Sequence, residues 1–409
     1  MENLENFEML RLQNGVRIVS ERVPGVRSAS LGIWVKNGSR CETAAENGIS
    51  HFIEHMLFKG TPTRTAGQIA AEMDGLGGQF NAYTSKENTT FYFRTLDENL
   101  PHAIEVLSDM FLHSNIAQKD LDLERTVVYE EIDSCEDTPD DLVHDKLSLA
   151  IYGDTPLGRS IIGTRKTLAV MTPEMLKSYF ARHYVPENIV ISLAGSFSDD
   201  VIRQLSDIFS AIAPAPAPEM VAGTYHAASV ATAKAIEQNH LCIGFPGCSC
   251  TAENRFAIQV LSNILGGGMS SRLFQKVREE AGLCYSIYSF SNTYIDTGVF
   301  GIYTGVSSQT QDRADGLIHE VIDEFLQNGP TEDELKRTRD QIKTSILMGL
   351  ESTMSRSNRL GQCTLFMDRI PAMEETVAHY EAVTREDVLQ AAREIFVPAQ
   401  ESRSVVGKI

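Results

Sequence analysis

The chain has 409 residues, 42% of them hydrophobic and 22% charged, which is the make-up of a globular protein long enough for two or three domains. With 55 acidic against 36 basic side chains its formal charge is -19, which repels phosphate backbones and argues against nucleic-acid binding. The opening MENLENFEML lacks the basic start and apolar run of a secretory signal and is too acidic for a transit peptide. No apolar run approaches the ~20 residues that cross a bilayer, so a cytoplasmic protein without membrane association is expected.

In chain order, LRLQNGVRIVSERV alternates around Asn14-Gly15, a strong short-range hairpin signal. The stretch NGISHFIEHMLFKG follows. In a helix His51, Glu54 and His55 share one face, with Phe52, Met56 and Leu57 as the apolar side. Two imidazoles one turn apart can hold a zinc ion at about 2.0–2.1 Å. Glu54 beside them could take a proton from water, in the order H-x-x-E-H rather than H-E-x-x-H. The alternative is an amphipathic helix with surface histidines. Thr65 and Gln68 then form a capping box, Ile69, Met73 and Leu76 an apolar stripe, and Gly75, Gly77 and Gly78 a stop. QFNAYTSKENTTFYFRT reads as two strands turning near Lys86 to Asn88.

A catalytic zinc ordinarily has three protein ligands. Residues 117–141 hold ten carboxylates, either a solvated acidic face or a ligand source. Glu124 and Glu131 lie seven apart on one face, so one could reach a metal while the other orients an imidazole. The seven cysteines are an odd number in a long chain, which speaks against a disulfide framework, and the Cys248–Cys250 pair has no second pair to complete a metal site.

AIAPAPAPEMVAG, from Ala211, is the clearest break, an extended spacer without packing residues. On either side of it the order of elements repeats: a helix, a second amphipathic helix, a glycine stop and two strands. DLDLERT parallels EDELKRT, and TPEMLKSYFARHYVPENIVISLAG parallels TREDVLQAAREIFVPAQESRSVVG. The expected fold is α+β: two homologous α/β-roll domains, each a mainly antiparallel sheet packed with helices. The expected boundaries are 1–212, a linker at 213–224, and 225–409. Aligning the copies sets Gln259, Ser262 and Asn263 opposite His51, Glu54 and His55, and Lys343 opposite Glu131, so the second copy has no metal site.

HFIEH with a glutamate 76 positions beyond its second histidine resembles the pitrilysin/insulysin family of inverted-zincin metallopeptidases, in particular its small two-domain branch similar to the mitochondrial processing peptidases. The resemblance spans essentially the whole chain. It implies a zinc endopeptidase with His51, His55 and Glu131 as ligands of one zinc per subunit, Glu54 as general base and Glu124 as accessory glutamate. GGQFNAYTSKENTTFY is similar to the family's edge-strand segment, which implies that Asn81 and Ala82 bind an extended peptide substrate. In REEAGLCY, Arg278 and Tyr285 match the family's Arg/Tyr pair, and LGGGMSSRLF resembles its glycine-rich loop. The small members imply a homodimer enclosing a chamber, with Arg278 and Tyr285 acting on the partner's zinc site. The family also contains non-catalytic scaffold or substrate-binding subunits, which is the alternative reading.

Overall fold

The alternation around Asn14-Gly15 forms a hairpin, with Gly15 at φ +107, a backbone conformation that L side chains rarely adopt. It belongs to a computed structural model of the chain that describes residues 7–409, so most of the acidic opening, read above as leaderless, lies outside the described residues. The first sheet contains β1 (Phe7–Arg11), β2 (Arg17–Arg22), β3 (Ser28–Val35), β4 (Gln79–Thr84), β5 (Thr89–Leu96) and β6 (Ile189–Gly195). Its order is β1-β2-β6-β3-β5-β4, antiparallel except for the β2–β6 pair.

The second sheet contains β7 (Ser229–Ala233), β8 (Gln238–Pro246), β9 (Cys284–Thr293), β10 (Gly298–Ser307) and β11 (Ser402–Gly407). Its order is β7-β11-β8-β10-β9, with only β7–β11 parallel. Apart from the extra β1, the two sheets share one topology: a parallel pair, then three antiparallel steps. The repeat expected from element order is therefore a repeat of strand connectivity. Where the first copy has a regular α-helix at Ala66–Gly75, the second has a π-helix at Phe274–Glu280.

Both faces of each sheet are covered, which is why β6 is buried at every residue and reads IVISLAG rather than alternating. In the first sheet one face packs on a core that includes Phe52, Ile53, Phe91, Phe93 and Phe111. The other face carries Trp34, Val190 and Ala194 and is covered by Leu360, Leu365 and Ile370, from or just beyond the helix Thr353–Met367. Around Trp34 the polar atoms are paired: its Nε1 donates to Ser192 Oγ at 2.9 Å, which is 2.9 Å from Ser357 Oγ. The buried Arg17 guanidinium donates to Thr364 O at 3.0 Å, placing a cation at that helix's C-terminal end.

Compactness divides the chain into two units, one of residues up to Ile132, Ser160–Val221 and Leu347–Met373, the other of Asp133–Arg159, Ala222–Ile346 and Glu374–Ile409. The switch at Val221/Ala222 falls inside the Pro/Ala stretch. The two remaining exchanges are not foreseen in the contiguous boundaries expected from the sequence. The helix Pro139–Tyr152, from the first half of the chain, sets Val143, Leu147 and Ile151 against Cys242, Val299, Tyr303 and Val406 of the second sheet. The helix Thr353–Met367, from the second half, covers the first.

Candidate metal centre

The helix Ile49–Leu57 is built by its spacing: Ile49, Phe52, Ile53, Met56 and Leu57 are buried on one side, leaving His51, Glu54 and His55 on the other. Its N-terminus follows Gly48, which has φ +95, and is held by the buried carboxylate of Glu42. That carboxylate accepts from Gly48 N and Ser50 N, each at 2.8 Å, and from Asn47 Nδ2 at 3.1 Å. The two backbone donors, Gly48 N and Ser50 N, are N–H groups that a helix start leaves without intrahelical partners. Burial pushes the Glu42 carboxyl up to about 7, against the pull of its donors.

The acidic helix Gln118–Asp137 buries Leu121, Glu124, Val128 and Ile132, a stripe of helical spacing in which Glu124 takes an apolar position. Glu131 is the partly exposed neighbour of that stripe. His51 Nε2, His55 Nε2 and Glu131 Oε2 converge: 3.3 Å between the two nitrogens, 3.8 Å from His51 and 3.5 Å from His55 to the carboxylate. Among the described residues this is the one cluster of His, Cys, Asp and Glu with metal-ligand spacing.

The donor set fits zinc. A tetrahedral ion with ligands at about 2.0–2.1 Å separates them by about 3.4 Å, close to all three observed distances. Two imidazole nitrogens and a carboxylate oxygen gathered in this way point their lone pairs at one another unless a cation lies among them. Burial, with the neighbouring His55 adding to it, lowers the His51 imidazole to about 3, so it is neutral and able to donate its lone pair.

Around this cluster, His55 Nδ1 lies 2.9 Å from Glu124 Oε1, and Lys59 Nζ lies 2.5 Å from the other oxygen of that carboxylate. Glu54 does not join the three converging atoms. Its Oε2 accepts from Thr84 Oγ1 at 2.5 Å. Burial raises the Glu54 carboxyl, and the Thr84 hydroxyl and His55 oppose that rise.

The other expected site residues lie elsewhere, on strands β4 and β9 and on the π-helix Phe274–Glu280. Asn81 and Ala82 are on β4, the terminal strand of the first sheet, and Asn81 lines a cleft of about 410 Å³ with Gln79, Phe80 and Tyr92. Asn81 Oδ1 accepts from Ala82 N at 2.9 Å. Arg278 and Tyr285 meet each other in the second unit: the guanidinium lies 4.8 Å from the Tyr285 ring centre and 4.5 Å from that of Phe274. Tyr285 is 79% exposed. Glu42, Lys59 and Thr84 were not singled out in the sequence. Lys59 stands four residues after His55, a helical interval that could have drawn attention to it, whereas Glu42 and Thr84 reach the helix through tertiary contacts that no periodicity announces.

The fold is thus built from two related sheets, and among the described residues the metal-competent cluster lies with the first of them. The chain belongs to the insulinase family, peptidase family M16: the model of that family matches residues 17–165, and the model described as "Peptidase M16 inactive domain" matches residues 171–342. A Bacillus subtilis relative named "Uncharacterized zinc protease YmxG" is 43% identical over 385 residues, 94% of each chain. A Rickettsia felis relative named "Uncharacterized zinc protease" is 36% identical over 396 residues, 96% of this chain and 95% of its own. The same fold is found in a protease from Helicobacter pylori (TM-score 0.91, 20% identity, covering 98% of this chain and 99% of that one). It is also found in a Pseudomonas fluorescens structure described as a peptidase M16 inactive domain (TM-score 0.92, 21% identity, covering 99% of this chain and 98% of that one). Among the described residues, no helix is long and apolar enough to cross a membrane.

Proposed function

We propose that this protein is a zinc endopeptidase that hydrolyses peptides or unfolded protein segments, with His51, His55 and Glu131 holding one zinc ion per subunit. The observation that carries this reading is the convergence of three ligand atoms within 3.8 Å of one another beside a carboxylate, Glu54, that is not among them. Bound there, zinc supplies Lewis acidity toward a peptide carbonyl and acidifies water toward a pKa of about 7. Glu54 takes the proton of the attacking water and passes it to the leaving amine. Glu124 accepts from His55 Nδ1, fixing the ring with its Nε2 toward the other ligands.

The substrate lies extended along the free edge of β4 near Asn81 and Ala82, by the strand addition that a terminal strand invites. Arg278 and Tyr285 contact the substrate, with the Tyr285 hydroxyl donating to the oxyanion. The high exposure of Tyr285 and the arginine stacked on its ring support that role. The working form is a homodimer whose enclosed chamber admits flexible chains, with Arg278 and Tyr285 supplied in trans. Mixing Glu54→Gln subunits with Arg278→Ala subunits should restore activity, and an inactive, verified mixed dimer would overturn the trans arrangement.

The central experiment is peptide-library cleavage with and without chelator, alongside metal analysis. Cleavage lost on chelation and restored by zinc is expected. Glu54→Gln should keep its zinc and lose turnover. Purified protein that binds no zinc, or Glu54→Gln at wild-type turnover, would sink the reading.

A further inference from the structure

Glu54 leans on the sheet as well as on its own helix. Thr84 is the last residue of β4, paired in register with Thr89 of β5 just before the turn at Ser85–Asn88. Its Oγ1 lies 2.5 Å from Glu54 Oε2, a distance typical of a hydroxyl donating to an ionised carboxylate. The neighbouring Thr89 hydroxyl does not compete as a donor, because its proton is committed to Asn37 O at 2.8 Å. Thr89 Oγ1 could instead accept from Thr84, but at 3.4 Å it is the far weaker partner. The Thr84 proton therefore goes to Glu54. Among the described residues Oε1, the other oxygen of that carboxylate, has no hydrogen-bond partner.

We propose that Thr84 is a positioning residue for Glu54: its hydroxyl anchors Oε2 and leaves Oε1 as the oxygen turned toward water. The inference rests on the general-base reading of Glu54 and adds how that base is held. A carboxylate free to rotate about its last torsion samples many orientations, since such torsions have broad minima. One strong hydrogen bond selects among them. The anchor sits on β4, the strand whose open edge we assign to the peptide, so the element that receives the substrate also sets the base. Glu54 is half-buried, where a polar group without a partner is costly, which makes a donor on one oxygen the more valuable.

The test compares Thr84→Val, which keeps the shape and removes the hydroxyl, with Thr84→Ser, which keeps the hydroxyl. Both are assayed on a quenched fluorescent peptide that the wild type cleaves, with Glu54→Gln as control and zinc content measured for every variant. For Thr84→Val we expect full zinc occupancy, KM within about twofold of wild type and kcat lower by roughly tenfold to a hundredfold, the range for losing one hydrogen bond to a charged group. Thr84→Ser should recover kcat to within about threefold of wild type. The proposal is overturned if Thr84→Val keeps wild-type kcat, if its loss appears in KM or in zinc content instead, or if Thr84→Ser is as impaired as Thr84→Val. Wild-type turnover in Glu54→Gln would instead remove the general-base reading beneath it, an outcome the control separates from the first.

Discussion

Glu124 grips His55 and is itself gripped by Lys59: Oε1 stands 2.9 Å from His55 Nδ1 and Oε2 stands 2.5 Å from Lys59 Nζ. A carboxylate on Nδ1 makes that nitrogen the protonated one and leaves the Nε2 lone pair facing His51 and Glu131. Glu124→Ala should therefore weaken zinc binding by about 10- to 100-fold in a chelator competition. Lys59→Met should produce a smaller loss, because it releases only the far oxygen. Unchanged affinity in Glu124→Ala would mean that packing alone orients the ring.

Glu42 makes stability depend on pH in an identifiable window. Its carboxyl titrates near 4.5 when exposed and is pushed up to about 7 in the fold. Between those values the native state binds more protons than the unfolded chain, so stability is fullest below about 4.5 and falls as pH rises through about 7. The difference amounts to roughly 3 kcal/mol. Urea unfolding at several pH values should show the wild type losing about that much more across the window than Glu42→Gln does. Parallel pH profiles for the two would refute the assignment.

Gly361 faces the Trp34 indole at a distance no side chain can share: a methyl added there would lie 2.2 Å from Nε1. The helix Thr353–Met367 must be small at that position to lie on the sheet. Gly361→Ala should cost about 1–3 kcal/mol of stability by overpacking, seen as a lower Tm, with turnover per folded molecule retained.

Zinc should stabilise the protein by mass action. At a free concentration a hundred times its Kd, the gain is about 2.7 kcal/mol and Tm rises. His51→Ala should abolish that rise, while Gln259→Ala, at the aligned position of the second copy, should leave it intact.

Much of this was legible in the sequence where the geometry is local. The proximity of His51 and His55 follows from helical spacing alone, and the capping box at Thr65 and Gln68 and the hairpin at Asn14-Gly15 are likewise short-range. The seven-residue spacing put forward Glu124 and Glu131 together, but the approach of Glu131 to His55, 76 residues away, does not follow from any periodicity, and the resemblance to a family chose it as the ligand. Glu42, Lys59 and Thr84 were missed because a capping carboxylate, a lysine and a strand-end threonine have many unremarkable uses; Lys59 stands at a helical interval from His55, but only the fold brings Thr84 to this helix. The parallel insertion of β6 beside β2 and the exchange of two helices were not legible either, since an amphipathic helix declares that it has an apolar face but not which sheet will receive it.

That exchange limits how the protein can be taken apart. The first 221 residues, made alone, would leave Trp34, Val190 and Ala194 facing solvent, and the remainder would lack Val143, Leu147 and Ile151. Each fragment would be an aggregating half rather than a domain, and the two would have to be co-expressed to recover either sheet. Reciprocal lending of helices thus makes the duplicated chain a single obligate folding partnership, in which a copy that has lost its chemistry cannot be discarded.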